Sequence, residues 1–451
     1  MNRRRFLKYA SATATVVGAS VAAFYLCNAG PRSSPQVTTP TTTQVGTSVT
    51  EAITTTTASG EHTLTRSREG YPLLGCYDHW HYQIQPFEVE QFARWDMLTV
   101  NFETAHAASD ALREIRNLNP KIKILAWISL GFYRISEDST VKGWGGYLET
   151  KFLADSNEDW WIHKKGVEPP SLRRLHMVPW YPDQVHPNPK SAFSDHIVKF
   201  LQEEVLSTGL YDGIFYDCTW DDRYISQQLT DTDVSASEYR EGVTGILKET
   251  REILGPSGMM MGNPGVEWRD TCAYWEYANG HYQENALGDV FGSGWGKVWE
   301  IYQRNMRKKS PPARMHWIGV DTQYKRDRST YGNVTQKDVT DEDLRRMRLG
   351  LGTALLLDNG YFGFDLGDGY HGYGEQWWFP EYDANLGFPS SNYEKAGDGT
   401  YRRRYDNGLV IVNPGFDKTI DLSVKYRDVT TNEISDRIKV PAKDARLLIT
   451  A

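Results

Sequence analysis

From Tyr71 onward the chain alternates two kinds of apolar pattern. Short unbroken apolar runs, of the sort that strands buried on both faces show, occur at 73–77, 97–102, 122–130, 211–216, 259–261, 273–277, 315–320 and 361–364. Between them, apolar residues recur at helical spacing. Ala111, Leu112, Ile115 and Leu118 form one stripe, Phe193, Ile197, Phe200, Leu201 and Val205 a second, and Tyr239, Val243, Ile246, Leu247, Ile253 and Leu254 a third. Ser235 with Glu238 has capping-box spacing, and Thr340 with Asp343 opens another helix. Eight strands interleaved with helices over about 300 residues predict an α/β fold, a (β/α)8 TIM barrel.

The stretch Tyr211-Asp212-Gly213-Ile214-Phe215-Tyr216-Asp217 centres this pattern. Side chains alternate across a strand, so Gly213, Phe215 and Asp217 share one face, and Ile214 and Tyr216 the other. Asp217 falls at the carboxyl end, where a barrel of this kind builds its chemistry.

The flanks differ from the centre. Residues 2–8 read Asn-Arg-Arg-Arg-Phe-Leu-Lys, followed by an apolar stretch from Ala12 to about Leu26. This start resembles a twin-arginine export signal over 1–30, either cleaved or retained as a membrane anchor. Phe24-Tyr25-Leu26 is too bulky for the usual lipoprotein signal ahead of Cys27. Residues 31–65 are rich in Thr, Ser and Pro and poor in large apolar side chains, which predicts a disordered stalk open to glycosylation. The barrel then occupies 66–397. Over 398–451 helical spacing gives way to short strands at 401–405, 409–412, 419–424 and 446–449 with turns at Asp406-Asn407-Gly408 and Asn413-Pro414-Gly415. This tail predicts a small C-terminal β-sandwich that packs on the barrel, since it is too short for a core of its own.

Composition narrows the function. A net charge of -8 without any basic block argues against nucleic acid as partner. Fifteen Trp and 26 Tyr suit either a large core or the faces of a sugar ligand. Of the four cysteines, Cys76, Cys218 and Cys272 lie outside the leader, without metal-type spacing, and read as small buried residues.

Hydrolysis of a glycosidic bond usually needs two carboxyl groups, one a proton donor and one a nucleophile or base. The acids expected at the barrel rim are Asp78, Glu103, Asp217, Asp221, Asp222, Glu276, Asp321 and Asp365. Asp217 and Glu276 are the expected catalytic pair, because each closes an aromatic run on nearby strands, four and six. Trp220 and Trp275 beside them either desolvate a carboxyl or stack on sugar. Each acid taken singly has a salt bridge or a helix cap as its alternative role.

Three segments carry a resemblance: Tyr211 to Asp217, Trp180 to Phe193, and Arg402-Arg403-Arg404-Tyr405-Asp406-Asn407-Gly408-Leu409-Val410-Ile411-Val412-Asn413-Pro414. Over roughly residues 70 to 415 the chain resembles the glycoside-hydrolase-like barrel family numbered fifteenth. It is similar, more distantly, to endo-α-1,4-polygalactosaminidase barrels and the α-galactosidase clan. The resemblance implies a secreted glycosidase. In that clan the nucleophile ends strand four and the acid/base ends strand six, which implies Asp217 and Glu276; the second assignment rests on counting strands.

His79 and His81, one residue apart after strand one, could hold a metal as in amidohydrolase barrels. Those barrels also need His after strands five and six, where Asn263 and Glu276 stand, so hydroxyl bonding to sugar or a structural role is the better reading. No metal or cofactor is expected. Glu103, Trp127, Ser129, Trp180, Asp221, Asn263, His316, Asp321 and Asp365 join the histidines as candidate cleft residues, and the glycine-rich 365–374 reads as a substrate loop. Two functions fit: an exported glycosidase acting, as a monomer, on a poly- or oligosaccharide, or a surface carbohydrate-binding protein that uses the barrel as a platform.

Overall fold

Eight parallel strands close a barrel in a computed structural model that describes residues 70–79, 82–135, 141–142, 146–163, 165, 184–221, 232–265, 267–287, 294–308, 313–322, 335–366 and 376–451. The leader, the stalk, His81, Trp180, Asp222 and the loop from 367 to 375 lie outside those residues. The strands are β1 (Leu73–Asp78), β2 (Met97–Asn101), β3 (Lys123–Ser129), β4 (Gly213–Asp217), β5 (Met259–Gly262), β6 (Gly280–Gln283), β7 (His316–Asp321) and β8 (Gly360–Asp365). Each pairs with its sequence neighbours, and β1 closes on β8.

Seven of the eight expected strands lie where the apolar runs stand. The sixth is corrected. Ala273–Glu276 forms a 3-10 turn, and the strand is Gly280-His281-Tyr282-Gln283. Its outward side chains are polar, yet buried, because Gln283 Oε1 meets His316 Nε2 at 3.1 Å behind the sheet.

The alternation expected for β4 holds. Phe215 sits inside the barrel with Tyr77, Leu125, Trp127, Met261, Tyr282 and Trp317, while Ile214 and Tyr216 belong to the outer core under the helices. The inner rings touch: Tyr77 lies 5.1 Å from Phe215 and 4.9 Å from Tyr282, and Tyr282 lies 5.0 Å from Trp317. Each such ring removes roughly 150–250 Å² from water, about 4–6 kcal/mol. The interior is a packed plug, and a ligand can sit only above it.

The main outer helices are α1 (Ser109–Leu118), α2 (Phe193–Phe200), α3 (Ala236–Leu254), α4 (Trp295–Met306) and α5 (Asp341–Ala354). α2 continues into a π turn and a 3-10 turn up to Gly209 instead of one uniform helix. Both capping boxes form: Ser235 Oγ accepts from Glu238 N at 3.2 Å, and Thr340 Oγ1 from Asp343 N at 3.1 Å. Cys76, Cys218 and Cys272 are buried, as expected.

The C-terminal unit is one antiparallel sheet of six strands: β9 (Glu394–Lys395), β10 (Tyr401–Tyr405), β11 (Gly408–Asn413), β12 (Lys418–Asp428), β13 (Ile434–Val440) and β14 (Asp444–Thr450), ordered β9-β10-β11-β14-β12-β13. Val410, Val412, Ala445 and Leu447 join the barrel's outer core. On the other face Leu409, Ile411 and Leu448 cluster with Ile420, Tyr426, Ile438 and Val440 of the β12–β13 hairpin. A buried ion network pins the sheet to α5: Arg348 grips both oxygens of Asp444 at 2.8 and 3.0 Å, and Arg446 Nη1 reaches Asp444 at 2.8 Å.

Candidate active site

Inward positions at the carboxyl rim carry Asp217, Asn263, Glu284, Asp321 and Asp365, all buried. Asp321 and Asp365 are register partners on β7 and β8. Beneath them stands Tyr282, whose phenol is pushed well above its ordinary value, first by burial and then by the carboxylates of Asp321, Glu284, Asp365 and Asp217. Gly319 makes room for the phenol, since a Cβ there would collide with the Tyr282 oxygen.

Asn263 joins two of these acids. Its Nδ2 donates to Asp217 Oδ1 at 2.9 Å and to Glu284 Oε2 at 3.1 Å. The amide is held from behind, because Oδ1 accepts from Gly265 N at 2.9 Å. That bond fixes which end of the amide faces the carboxylates, since a carboxylate only accepts. Backbone bonds from Asn263 N to Tyr216 O and from Thr219 N to Asn263 O, both 2.8 Å, extend the β4–β5 pairing past the strand ends and seat the residue. The two bridged oxygens can be no farther apart than the two bonds laid end to end. That ceiling falls short of the about 6.5 Å at which inverting pairs begin, and accommodates the about 5–5.5 Å of retaining pairs.

Asp217 Oδ1 also accepts from Cys218 N at 2.8 Å. Two N–H donors on one oxygen favour the charged carboxylate. Each acid of the bridged pair is followed at once by a non-glycine residue in the left-handed region, Cys218 at φ 59 and Asn285 at φ 48. Such backbone costs about 1–3 kcal/mol and persists where the surroundings impose it, commonly at functional sites.

His79 and Trp127 flank this mouth. The His79 ring stacks on Trp127 at 4.7 Å and lies 4.6 Å from Tyr77, and Trp127 Nε1 donates to Tyr77 Oη at 3.0 Å. Ser129 pairs in register with Asp217.

Other expectations are corrected. Glu276 lies exposed in the 3-10 turn before β6, so it does not end a strand. Trp275 packs edge-on against Trp268 at 5.0 Å in the outer core, with Nε1 bonded to Arg269 O. Glu103 is spent as a cap: its oxygens accept from the backbone N–H of Tyr147, Leu148 and Glu149 at 2.9, 2.6 and 3.2 Å, at the start of helix Tyr147–Ala154. Asp221 is buried in an ion pair with Arg269 at 2.7 Å. Trp220 packs in the outer core beside Gly131. His316 points away from the barrel axis onto Tyr302, 4.8 Å distant, with Nδ1 at 2.8 Å from Asn305 Nδ2. Burial, then Arg304, pushes its imidazole down to about 3.

Glu284 is the acid that sequence reasoning missed. The signal was present: Tyr282 and Glu284 repeat the spacing of Phe215 and Asp217, an inward ring followed two residues later by an acid. Among the described residues no group of His, Cys, Asp and Glu is arranged to hold a metal ion.

The profile of hypothetical glycosyl hydrolase family 15 matches residues 116–409. No curated protein matches the chain. Among solved structures, the glycoside hydrolase domain of PelA from Pseudomonas aeruginosa is similar at 12% identity and TM-score 0.37, over 67% of this chain and 98% of that one. Isomalto-dextranase from Arthrobacter globiformis T6, complexed with panose, is similar at 12% identity and TM-score 0.43, over 86% and 74%. Ttha1563 from Thermus thermophilus matches at 12% identity and TM-score 0.43, over 81% and 89%.

Proposed function

Because the chain belongs to hypothetical glycosyl hydrolase family 15 and is a hydrolase of glycosidic bonds, we propose that Asp217 and Glu284 are its catalytic pair and that it works with retention. The observation that carries this reading is the single amide of Asn263 between the two acids, above the Tyr282 ring.

In the first step Glu284 donates its proton to the glycosidic oxygen while Asp217 attacks the anomeric carbon. The bond to the leaving sugar breaks and a glycosyl ester to Asp217 forms. In the second step Glu284, now a carboxylate, takes a proton from water. The water oxygen attacks the anomeric carbon and releases Asp217. The roles follow the resemblance, strand four for the nucleophile and strand six for the acid/base, with strand six now counted at Gly280–Gln283. The two N–H donors on Asp217 support it as the group that is charged at the outset. Asp321 and Asp365, and the His79–Trp127 stack, bond and cover the sugar next to the cleaved linkage.

The substrate of this reading is a polysaccharide outside the cell, and the twin-arginine-like start at Arg3-Arg4-Arg5-Phe6-Leu7-Lys8 supports export of the folded enzyme. No described helix is long and apolar enough to cross a membrane. Proton NMR of the first product released from a polysaccharide panel tests the stereochemistry. Retention of the anomeric configuration, with reducing-sugar release lowered at least about 100-fold in Asp217→Asn, is expected; inversion would remove the nucleophile role from Asp217.

A further inference from the structure

We propose that the cleft between barrel and C-terminal sheet, at the start of α4, is a subsite for an anionic substituent of a glycan: a carboxylate, sulfate or phosphate. The cleft has a volume of about 580 Å³, within the range of small-ligand sites. Leu287, Trp295 and Leu349 form its apolar wall. Among the described residues three cations line it, Arg345 and Arg346 of α5 and Lys443 of the turn before β14, against one carboxylate, that of Glu342. None of the three has an ion-pair partner among the described residues, and Arg346 bonds only the carbonyl oxygen of Asp321, at 3.4 Å. In a chain of net charge -8, three cations lining one cavity without an ion-pair partner among the described residues mark a place built for negative charge.

Two backbone features agree. Gly294 precedes α4 and supplies no side-chain cap, so the positive end of the helix dipole opens on the same cleft. Lys443 holds φ 51, a left-handed conformation that glycine or asparagine takes more cheaply. A lysine kept there puts its charge on the cleft at some cost to the turn.

The cleft also adjoins the catalytic rim. Leu287 belongs to the turn that leaves Glu284, and Arg346 holds the end of β7 through Asp321. A glycan threaded past Glu284 would reach the cations with a neighbouring unit. The word glycan rests on the hydrolase reading above; the anion site does not.

Calorimetry on the full chain carrying Glu284→Gln, expected to slow turnover at least about 100-fold, separates the two. The probes are trigalacturonate, a heparin-derived tetrasaccharide, inorganic phosphate and neutral maltotriose. At least one acidic oligosaccharide is expected to bind, and to weaken at least tenfold when the exposed pair Arg345→Ala and Lys443→Ala is added, with a shallower salt dependence. Failure of both acidic oligosaccharides to bind, binding of phosphate alone, or equal affinity in the parent and the added-pair variant would each overturn the subsite. Acidic probes that bind as expected to a protein whose wild type cleaves nothing would leave the subsite standing and sink the hydrolase reading.

Discussion

Asp217 and Glu284 accept hydrogen bonds from one and the same nitrogen, Asn263 Nδ2, at 2.9 and 3.1 Å. The bridge sets their spacing and, with Cys218 N on the same oxygen, favours the charged form of Asp217. In Asn263→Ala Asp217 loses a bond of the kind worth about 1.5–3 kcal/mol to a charged group. The rate should fall about 10- to 100-fold. Without the donor, protonation of Asp217 becomes easier, so the acid limb of the kcat/KM profile should move to higher pH. A slower enzyme with an unmoved acid limb would mean that Asn263 only supports the fold.

Tyr282 depends on Gly319. A methyl group at that position would drive the phenol out of its place in the aromatic plug. Gly319→Ala should cost about 1–3 kcal/mol by overpacking. Thermal unfolding would register the loss, and activity should drop with it, because Tyr282 is the inward ring two residues before Glu284.

Two buried imidazoles tie stability to pH. His281 and His316 face each other at 4.9 Å behind β6 and β7. Burial lowers His316 to about 3, and burial, then His316 and Arg304, lowers His281 well below its ordinary value. Both are neutral in the folded state and titrate near 6.5 when unfolded. Their contribution is complete above about pH 6.5 and is lost as the pH falls from there towards about 3. Urea midpoints should therefore drop between pH 7.5 and pH 5, and His316→Asn should flatten that drop.

The barrel and the sheet are joined through charge as well as apolar contact. Arg348→Ala leaves Asp444 without its partner from α5. Removing one member of a buried pair costs about 3–5 kcal/mol. Chemical denaturation should show the loss, whereas exposed Arg437→Ala, 3.7 Å from Asp421, should change little.

Much of this architecture is legible in the sequence, and the misses have physical causes. Strands such as Gly213–Asp217 and Lys123–Ser129 advertise themselves because both faces are apolar, one against the plug and one against the helices. β6 does not, because its outer face is a buried polar layer in which Gln283 satisfies His316, and such a layer reads as loop. The apolar run at Ala273–Glu276 drew the assignment instead, although its rings serve the outer core through Trp268. Glu103 and Asp221 are legible as acids near strand ends with a cap or a salt bridge as the alternative role, but the partners that decide it, Tyr147–Glu149 and Arg269, are far along the chain. β13 went unread because its exposed polar positions leave only Ile438 and Val440 inward.

The most direct test compares Glu284→Gln with Glu276→Gln in full-length protein, by initial rate of reducing-sugar release from whichever polysaccharide the wild type cleaves best. The account predicts at least about a 100-fold loss for Glu284→Gln and wild-type rates for Glu276→Gln. Wild-type rates in Glu284→Gln, or a comparable loss in Glu276→Gln, would contradict it.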